Sequence, residues 1–522
     1  MPLSFDRREF VKTLSALLPA LGFKAGAQAP QQPQQDTTPR TMDHAVWAGE
    51  RKTERKTATR PNTVGIQTKP FCWNDEGIDV VLDNLQGKGA VTTVYSYTYD
   101  TDPNRIHKGD RLPDHGKYGP EGLRTGGAYF DYDAKYFAGT ILKEFRSWDD
   151  GKFNVITEVA PKVKARGMDY FAHDFNNPFP VMMHTIPGYT EVAQIDMDGV
   201  RTTMPCYNHP DYRAFLQGKI EVYLRQYGDL VDGILWNTES MGPFDNMIGG
   251  DWAQIGVTCF CRFCAAKGRE RGIVADRAKE GYRRLLYLFR AGPKHGQRPA
   301  DGYFTTFWRT LLEYPEILSW QNLWMDSYME VRAELYGAAK AIAPAKPFGF
   351  HVQQNHTFSP FYSAAEDFTR LAQFSDFLKL ASYNNAGGPR MARLIDRLAG
   401  TVFRDTDSAK FLPVYYDMMG YHEGTLAEIT QNGLTSGYVV ACAKRAMEDV
   451  GDKTKIYPGI DIGVPTAATG EKTTHADDVR KAVTAAWQAG VPGITLSRDY
   501  SEMELSSLAA AGDATRAFLK KA

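Results

Sequence analysis

The chain is expected to fold as an α/β protein of the (β/α)8 TIM-barrel class with long loop insertions. Three observations predict it. Eight short apolar runs alternate with amphipathic segments. Most of those runs are apolar on both faces, as strands of a parallel sheet covered by helices must be. The 522 residues, 43% hydrophobic and 24% charged, are enough for one large barrel and ordinary in composition. A doubly wound sheet is the runner-up, but no G-x-G-x-x-G follows the first run.

The runs are, in order, TVGIQT (63–68), AVTTVYSYTY (90–99), MDYFAHDF (168–175), VDGILWNT (231–238), KPFGFHVQ (346–353), DFLKLASY (376–383), KIYPGIDI (455–462) and VPGITLSR (491–498). Between them lie helical patterns. In PDYRAFLQGKIEVYLRQYGD, apolar side chains at Tyr212, Phe215, Leu216, Ile220, Tyr223, Leu224 and Tyr227 form a 3.6-period stripe, with Pro210 at its start. Residues 319–343 behave alike, as does ADDVRKAVTAAWQA (476–489), which stops at Gly490. Two stretches exceed a simple connector: 101 to about 150, and 384 to 454, where FLPVYYDMM suggests a short extra strand.

The first 29 residues read as a twin-arginine export signal. Arg7 and Arg8 precede Phe10, Val11 and Lys12, and a short apolar run from Leu14 to Phe23 follows. Residues 30–60 are a Gln/Pro-rich, low-complexity linker, and 61–522 form the barrel. No later stretch is long and apolar enough to span a bilayer, so the expected location is periplasmic or secreted, with no membrane contact beyond the signal. Lys+Arg and Asp+Glu nearly cancel, for a net charge of -1, which excludes a basic nucleic-acid-binding field. Aromatic residues at 12% suit sugar stacking as well as a large core. The sequence assigns no oligomeric state.

There are six cysteines, too few for a disulfide framework in so long a chain. Cys259, Cys261 and Cys264 fall in one C-x-C-x-x-C run. So short a loop strains an internal disulfide, whereas three thiolates suit tetrahedral Zn2+. Cys206 is the expected fourth ligand, with His209 as the fallback. Four thiolates leave no open position, so such a zinc is structural. Disulfides formed in an oxidising compartment are the competing reading. Cys72 and Cys442 are expected to be small buried hydrophobes.

The order Cys206, Pro210, Tyr212, Arg213, then a helix, a strand ending at Glu239, and Cys259/Cys261/Cys264 resembles the zinc-bearing barrel of glycoside hydrolase family 42 β-galactosidases. AIAPAKPFGFHVQQNH and DFLKLASYNN are similar to that family's fifth and sixth strands. The resemblance covers roughly residues 200 to 385 with motifs. It implies a barrel glycosidase with Glu239 as acid/base. Where that family has Asn directly before this Glu, the chain has Thr238, with Asn237 one further back. Where the family ends its seventh strand in a nucleophilic Glu, the chain offers Asp461.

Barrel active sites lie at the C-terminal ends of the strands. Those ends supply Asp174, His173, Glu239, His356, Tyr383, Asn384, Asp461, Arg498 and Asp499. Glycoside cleavage needs one carboxylic acid and one carboxylate across the sugar. Glu239 is the expected acid/base and Asp461 the expected nucleophile or base, with Asp174 and Asp499 competing for that second role. Asp174, His173, Trp73, Asn237, His351, His356, Tyr383, Asn384, Arg498 and Asp499 are the expected carbohydrate-binding residues, and Trp236 is a further stacking candidate. Two other readings remain. His173, His351 and His356 invite a metal-dependent sugar or polyol hydrolase or isomerase, and a non-catalytic glycan-binding barrel would need no carboxylate pair.

Overall fold

The computed structural model describes residues 59–100, 115, 126–147, 151–176, 182–250, 256–466 and 468–521. The Arg7-Arg8 export segment and nearly all of the linker lie outside the described residues.

Eight parallel strands close into a barrel. They are β1 (Thr63–Thr68), β2 (Thr93–Asp100), β3 (Asp169–Phe175), β4 (Gly233–Asn237), β5 (Phe348–Val352), β6 (Phe377–Ala381), β7 (Lys455–Asp461) and β8 (Gly493–Ser497). Each pairs with its neighbours in chain order, and β1 pairs with both β2 and β8, which closes the ring. All eight expected runs are strands. Each alternates with helices, as the (β/α)8 class requires.

The barrel interior is filled. Tyr95, Phe171, Leu235, Phe377 and Tyr457 point inward and form one apolar layer. The Tyr95 ring lies edge-on to Phe171 at 5.5 Å, and Phe377 meets Tyr457 at 5.4 Å. Small residues make room: a Cβ on Gly65 would come 2.3 Å from the Tyr95 ring, and one on Gly233 would come 2.6 Å from Phe171. Because side chains alternate along a strand, the next inward positions form a second layer toward the C-terminal mouth. They include His173, Asn237, His351 and Lys379.

Helices of the outer layer follow the sequence pattern. α1 (Val155–Ala165) starts at Asn154, whose side chain accepts from the Ile156 and Thr157 N–H groups. It buries Val155, Ile156, Val159, Ala160 and Val163. Each of the valine and isoleucine side chains is worth about 1.5–3 kcal/mol on full burial. α2 (Pro210–Glu221) begins with proline at its first position, where no N–H is needed. α3 (Arg262–Glu270) follows the C-x-C-x-x-C run, and α4 (Glu316–Ile342) spans 27 residues behind β4 and β5. α5 (Asn384–Ala399) follows β6, and α6 (Ser408–Met419) comes next.

Two expectations about the insertions change. FLPVYYDMM is helical and lies within α6. Asp407 caps that helix by accepting from Lys410 N at 2.9 Å, and Phe411, Leu412, Tyr415 and Met419 bury one face. The period-3.6 spacing outweighs the strand propensity of the Val-Tyr-Tyr run. In the first insertion, Gly127–Ala128 adds a short antiparallel strand to β2. The connection from β4 to β5 carries α3, α4 and further helices, and builds a second apolar core around Phe260, Tyr282, Phe307 and Trp320.

Candidate active site and cysteine cluster

Glu239 stands two residues past β4, and its backbone is held from both sides. Asn176 N donates to Asn237 O at 2.9 Å, and Thr238 Oγ1 donates to Asn176 O at 3.1 Å. From behind, the Tyr328 hydroxyl of α4 donates to Thr238 O at 3.1 Å. From β5, Gln353 Nε2 donates to Ser240 O at 2.9 Å. This pinning aims the Glu239 side chain into the mouth, where it is 29% exposed.

The Glu239 carboxylate meets His351 Nε2 at 3.3 Å. Burial opposes its ionisation, but His351, Arg498 and Lys379 together outweigh that and draw its pKa down to about 2. His351 is held down to about 4, by burial first and then by Lys379, against the pull of Glu239. Near neutral pH the pair is therefore a carboxylate beside a neutral imidazole. Lys379 forms the floor: it is fully buried, and its Nζ donates to the Tyr383 hydroxyl at 2.5 Å. Burial lowers its pKa well below the usual lysine value, with Glu239 opposing the shift. His173 lies within the influence of His351 and Lys379, and burial keeps it neutral. Tyr97 packs on its ring at 4.3 Å.

Arg498 closes the opposite side. Its guanidinium pairs with Glu502, with Nε to Oε2 at 2.8 Å, and it bears on Glu239, Tyr383 and Lys379. Asp499, the next residue, accepts from the Ser501 N–H and hydroxyl and caps the turn Tyr500–Glu502. Burial pushes its pKa up to about 7, with Lys69 opposing and Glu502 adding to the rise. Asp499 is 1% exposed, with Cys72 Sγ 4.0 Å from Oδ1 and Oδ2 without a partner among the described residues, and its pKa moves in the direction opposite to that of Glu239.

Asp461 does not stand as expected. It ends β7, but its oxygens are committed: Oδ2 accepts from Ala386 N at 2.8 Å, and Oδ1 from Gly463 N, Val464 N and the Thr474 hydroxyl. It fastens the first turn of α5 to the loop after β7, which leaves it poorly placed to attack a sugar. Asp174 is also corrected. Next to the inward His173, it points outward to α2, where Lys219 Nζ lies 2.8 Å away with both side chains fully buried. Burial draws Lys219 down to about 8 against the Asp174 charge.

Other expected sugar contacts lie elsewhere. Trp73 is buried in the main core on the helix after β1. Trp236 faces outward, between Tyr328 and Phe350. His356 Nε2 donates to the Glu366 carbonyl at 2.7 Å, and its ring lies tilted against Phe368, outside the mouth. Asn384 is buried with its amide turned to Asn385 and Leu434. Asn237 is buried at the strand end, and its Oδ1 has no partner among the described residues. His173, His351, Tyr383 and Arg498 do converge with Glu239, whereas the three histidines do not form a ligand set. Sequence reasoning missed Lys379, Arg390, Gln354 and Glu502. The lysine had a signal: a single charge at an inward position of the apolar run FLKLA.

The four cysteines come together. Cys206, Cys259, Cys261 and Cys264 are buried, and their sulfurs all lie within 4.8 Å of one another. Cys206 Sγ is 3.5 Å from the sulfurs of both Cys261 and Cys264. Cys206 follows a hairpin (Ala193–Ile195 with Arg201–Pro205), Cys261 precedes α3 and Cys264 lies in its first turn. Donors surround the sulfurs: Ile195 N reaches Cys259, Asn208 N reaches Cys206, and Asn208 Nδ2 reaches Cys264. A tetrahedron of thiolates at about 2.3 Å from Zn2+ has edges of about 3.8 Å, so the set fits a metal of that kind. His209 is not part of it; its ring packs on Phe263 and faces Asp211. Cys72 and Cys442 are buried away from the cluster, as expected, with Cys72 Sγ 4.0 Å from Asp499 Oδ1 and Cys442 Sγ 3.5 Å from the Tyr421 hydroxyl.

No protein-family model matches the chain. No curated protein matches it either. Among solved structures, it is similar to α-L-fucosidase isoenzyme 2 from Paenibacillus thiaminolyticus (TM-score 0.48, 11% identity, 89% of this chain and 50% of that one). It is similar to a β-galactosidase from the psychrophilic Marinomonas ef1 (0.49, 10%, 87% and 59%). A third is the PgaB (BpsB) glycoside hydrolase domain from Bordetella bronchiseptica (0.43, 12%, 88% and 98%). The chain thus spans about half the length of the fucosidase and 59% of the galactosidase.

Proposed function

We propose that the protein is a glycoside hydrolase whose two working carboxylates are Glu239 and Asp499. The observation that carries this is the Glu239–His351 contact at the C-terminal mouth of a filled barrel, ringed by Lys379, Tyr383 and Arg498. Glu239 is the carboxylate of that ring that reaches open space and stays ionised. Its role is to attack the anomeric carbon or to stabilise the positive charge that develops there, with His351 holding its orientation. Asp499, which follows β8 and whose buried Oδ2 has no partner among the described residues, is the proposed acid for the departing oxygen, its pKa raised to about 7 by burial. Environments that push two carboxylates apart in this way separate the acid from the anion. Asp461 acts by position, holding the start of α5 beside Tyr383.

The cysteine set is proposed to hold one structural Zn2+. When bound, that ion supplies no chemistry at the mouth; it ties the hairpin before α2 to the start of α3 and so braces the loop that follows Glu239. Export by the twin-arginine route is proposed from Arg7-Arg8 and the apolar run after them. Carbohydrate is the proposed partner.

An aryl-glycoside panel tests the hydrolase reading. Glu239→Gln is expected to lose turnover on every substrate the wild type cleaves. Asp499→Asn is expected to lose it on poor leaving groups and to keep most of it on dinitrophenyl glycosides, which need no acid. Wild-type turnover in both variants would sink the assignment.

A further inference from the structure

Arg390 brings to the mouth a charge that no described acid closes. It lies on α5, partly exposed, and its Nη1 donates to Gln354 Oε1 at 2.8 Å. Gln354 cannot turn away, because its Nε2 donates to Tyr383 O at 2.7 Å. A neutral amide therefore sets the direction of the guanidinium, which sits 5.8 Å from the Tyr383 ring centroid. The other arginines of this region are treated differently. Arg498 is closed by Glu502, and Arg332, behind β5, by Glu366. Among the described residues Arg390 has no carboxylate within ion-pair distance.

An arginine stays charged at any pH a protein survives, and confining its charge without a counter-ion is costly. Arg498 adds positive charge to the same pocket, while Asp461 and Glu239 act on Arg390 only from beyond ion-pair distance. The remaining N–H donors of Arg390 form a rigid fork matched to an oxyanion. Glu239 repels an anion placed beside it, so the charged group must sit on the Arg390 side, which fixes how a sugar ring enters.

We propose that the pocket takes glycans bearing an oxyanion substituent, a uronic-acid carboxylate or a sulfate ester, and that Arg390 receives that group. The inference rests on the glycosidase reading of the same pocket.

The test has two arms. In the first, nitrophenyl hexuronides, nitrophenyl sulfo-hexosides and the matching neutral hexosides are compared. The wild type is expected to prefer one anionic class by about tenfold or more in kcat/KM, the value of one charge-assisted fork. That ratio is expected to collapse in Arg390→Gln and to return in part in Arg390→Lys. Which class is preferred separates carboxylate from sulfate. In the second arm, Glu239→Gln is titrated calorimetrically with glucuronate, galacturonate, glucose 6-sulfate, glucose and galactose. Binding of an anionic sugar, weakened at least tenfold by adding Arg390→Gln, supports the site even if no substrate is turned over; that combination would discard the hydrolase reading alone. Equal handling of neutral and charged sugars in both arms, or a ratio untouched by Arg390→Gln, overturns the inference and leaves the hydrolase reading standing.

Discussion

His351 Nε2 lies 3.3 Å from the Glu239 carboxylate, and the imidazole is neutral where the carboxylate is charged. The contact orients Glu239 without needing to neutralise it. The His351 contact does most to hold Glu239 ionised against its burial, with Arg498 adding to it.

Removing that charge is expected to be severe for turnover and mild for folding. Glu239→Gln preserves shape and should lower kcat by about a hundredfold or more, the scale of a group acting at the reacting atoms. His351→Ala, which acts only through Glu239, should cost less and should alter the acidic side of the kcat/KM profile. Steady-state kinetics from pH 3 to 9 separates the two.

The pH profile follows from the opposed carboxylates. Asp499 must be protonated to act as the acid, so kcat/KM should fall as pH rises through about 7. Stability has the same sign. The folded pKa of Asp499 lies above its ordinary value of 3.8, so its contribution is complete below about 3.8 and is lost as pH rises toward 7. Asp499→Asn should flatten both the alkaline limb and that part of the Tm-against-pH curve. An unchanged limb in the variant would remove Asp499 from the acid role.

Much of the fold was legible because a parallel strand buried on both faces needs an unbroken apolar run, and eight such runs occur. The site was legible only where a side chain follows its strand simply. His173 and His351 continue the inward alternation and were found. Asp174 obeys the same alternation: with Phe171 and His173 inward it must face out toward α2, so a carboxylate near the strand end is not by itself one that enters the mouth. Asp461 was placed at the right strand end, but its donors come from Ala386 and Thr474, 75 and 13 residues away. The helical state of FLPVYYDMM depended on its cap at Asp407 and on its buried face.

The outward pair offers a control. Asp174→Ala leaves Lys219 Nζ buried with no carboxylate, held by Asn176 Oδ1 and by the face of the Tyr99 ring. Breaking a buried pair on one side costs about 3–5 kcal/mol. Urea unfolding should show that loss, and Asp174→Leu combined with Lys219→Met should recover a good part of it. Sugar affinity should not change, because the pair faces α2. A loss of affinity at wild-type stability would return Asp174 to the mouth.

The cysteine cluster predicts about one zinc per chain by metal analysis of the purified protein. Cys261→Ser should lower that stoichiometry and the Tm together. Strong chelation should reproduce the Tm loss in the wild type and leave the variant little changed. Four oxidised cysteines with no bound metal would overturn the assignment in favour of disulfides.

Asp461 provides the last prediction. Its four accepted hydrogen bonds join α5 to the loop after β7, and α5 carries Arg390. Burial disfavours its charge, and the N–H and hydroxyl donors offset that. Asp461→Ala removes both acceptor oxygens, and with them all four hydrogen bonds, and leaves buried donors unpaired, each costing about 1–3 kcal/mol. Asp461→Asn keeps an oxygen for some of them and should recover part of the stability. If Asp461 acts by position, both variants should weaken sugar binding through α5 more than they slow turnover at saturation, so KM rises further than kcat falls. A nucleophile would behave in the opposite way: Asp461→Asn would abolish kcat at unchanged stability, and azide would restore turnover in Asp461→Ala with a glycosyl azide as product.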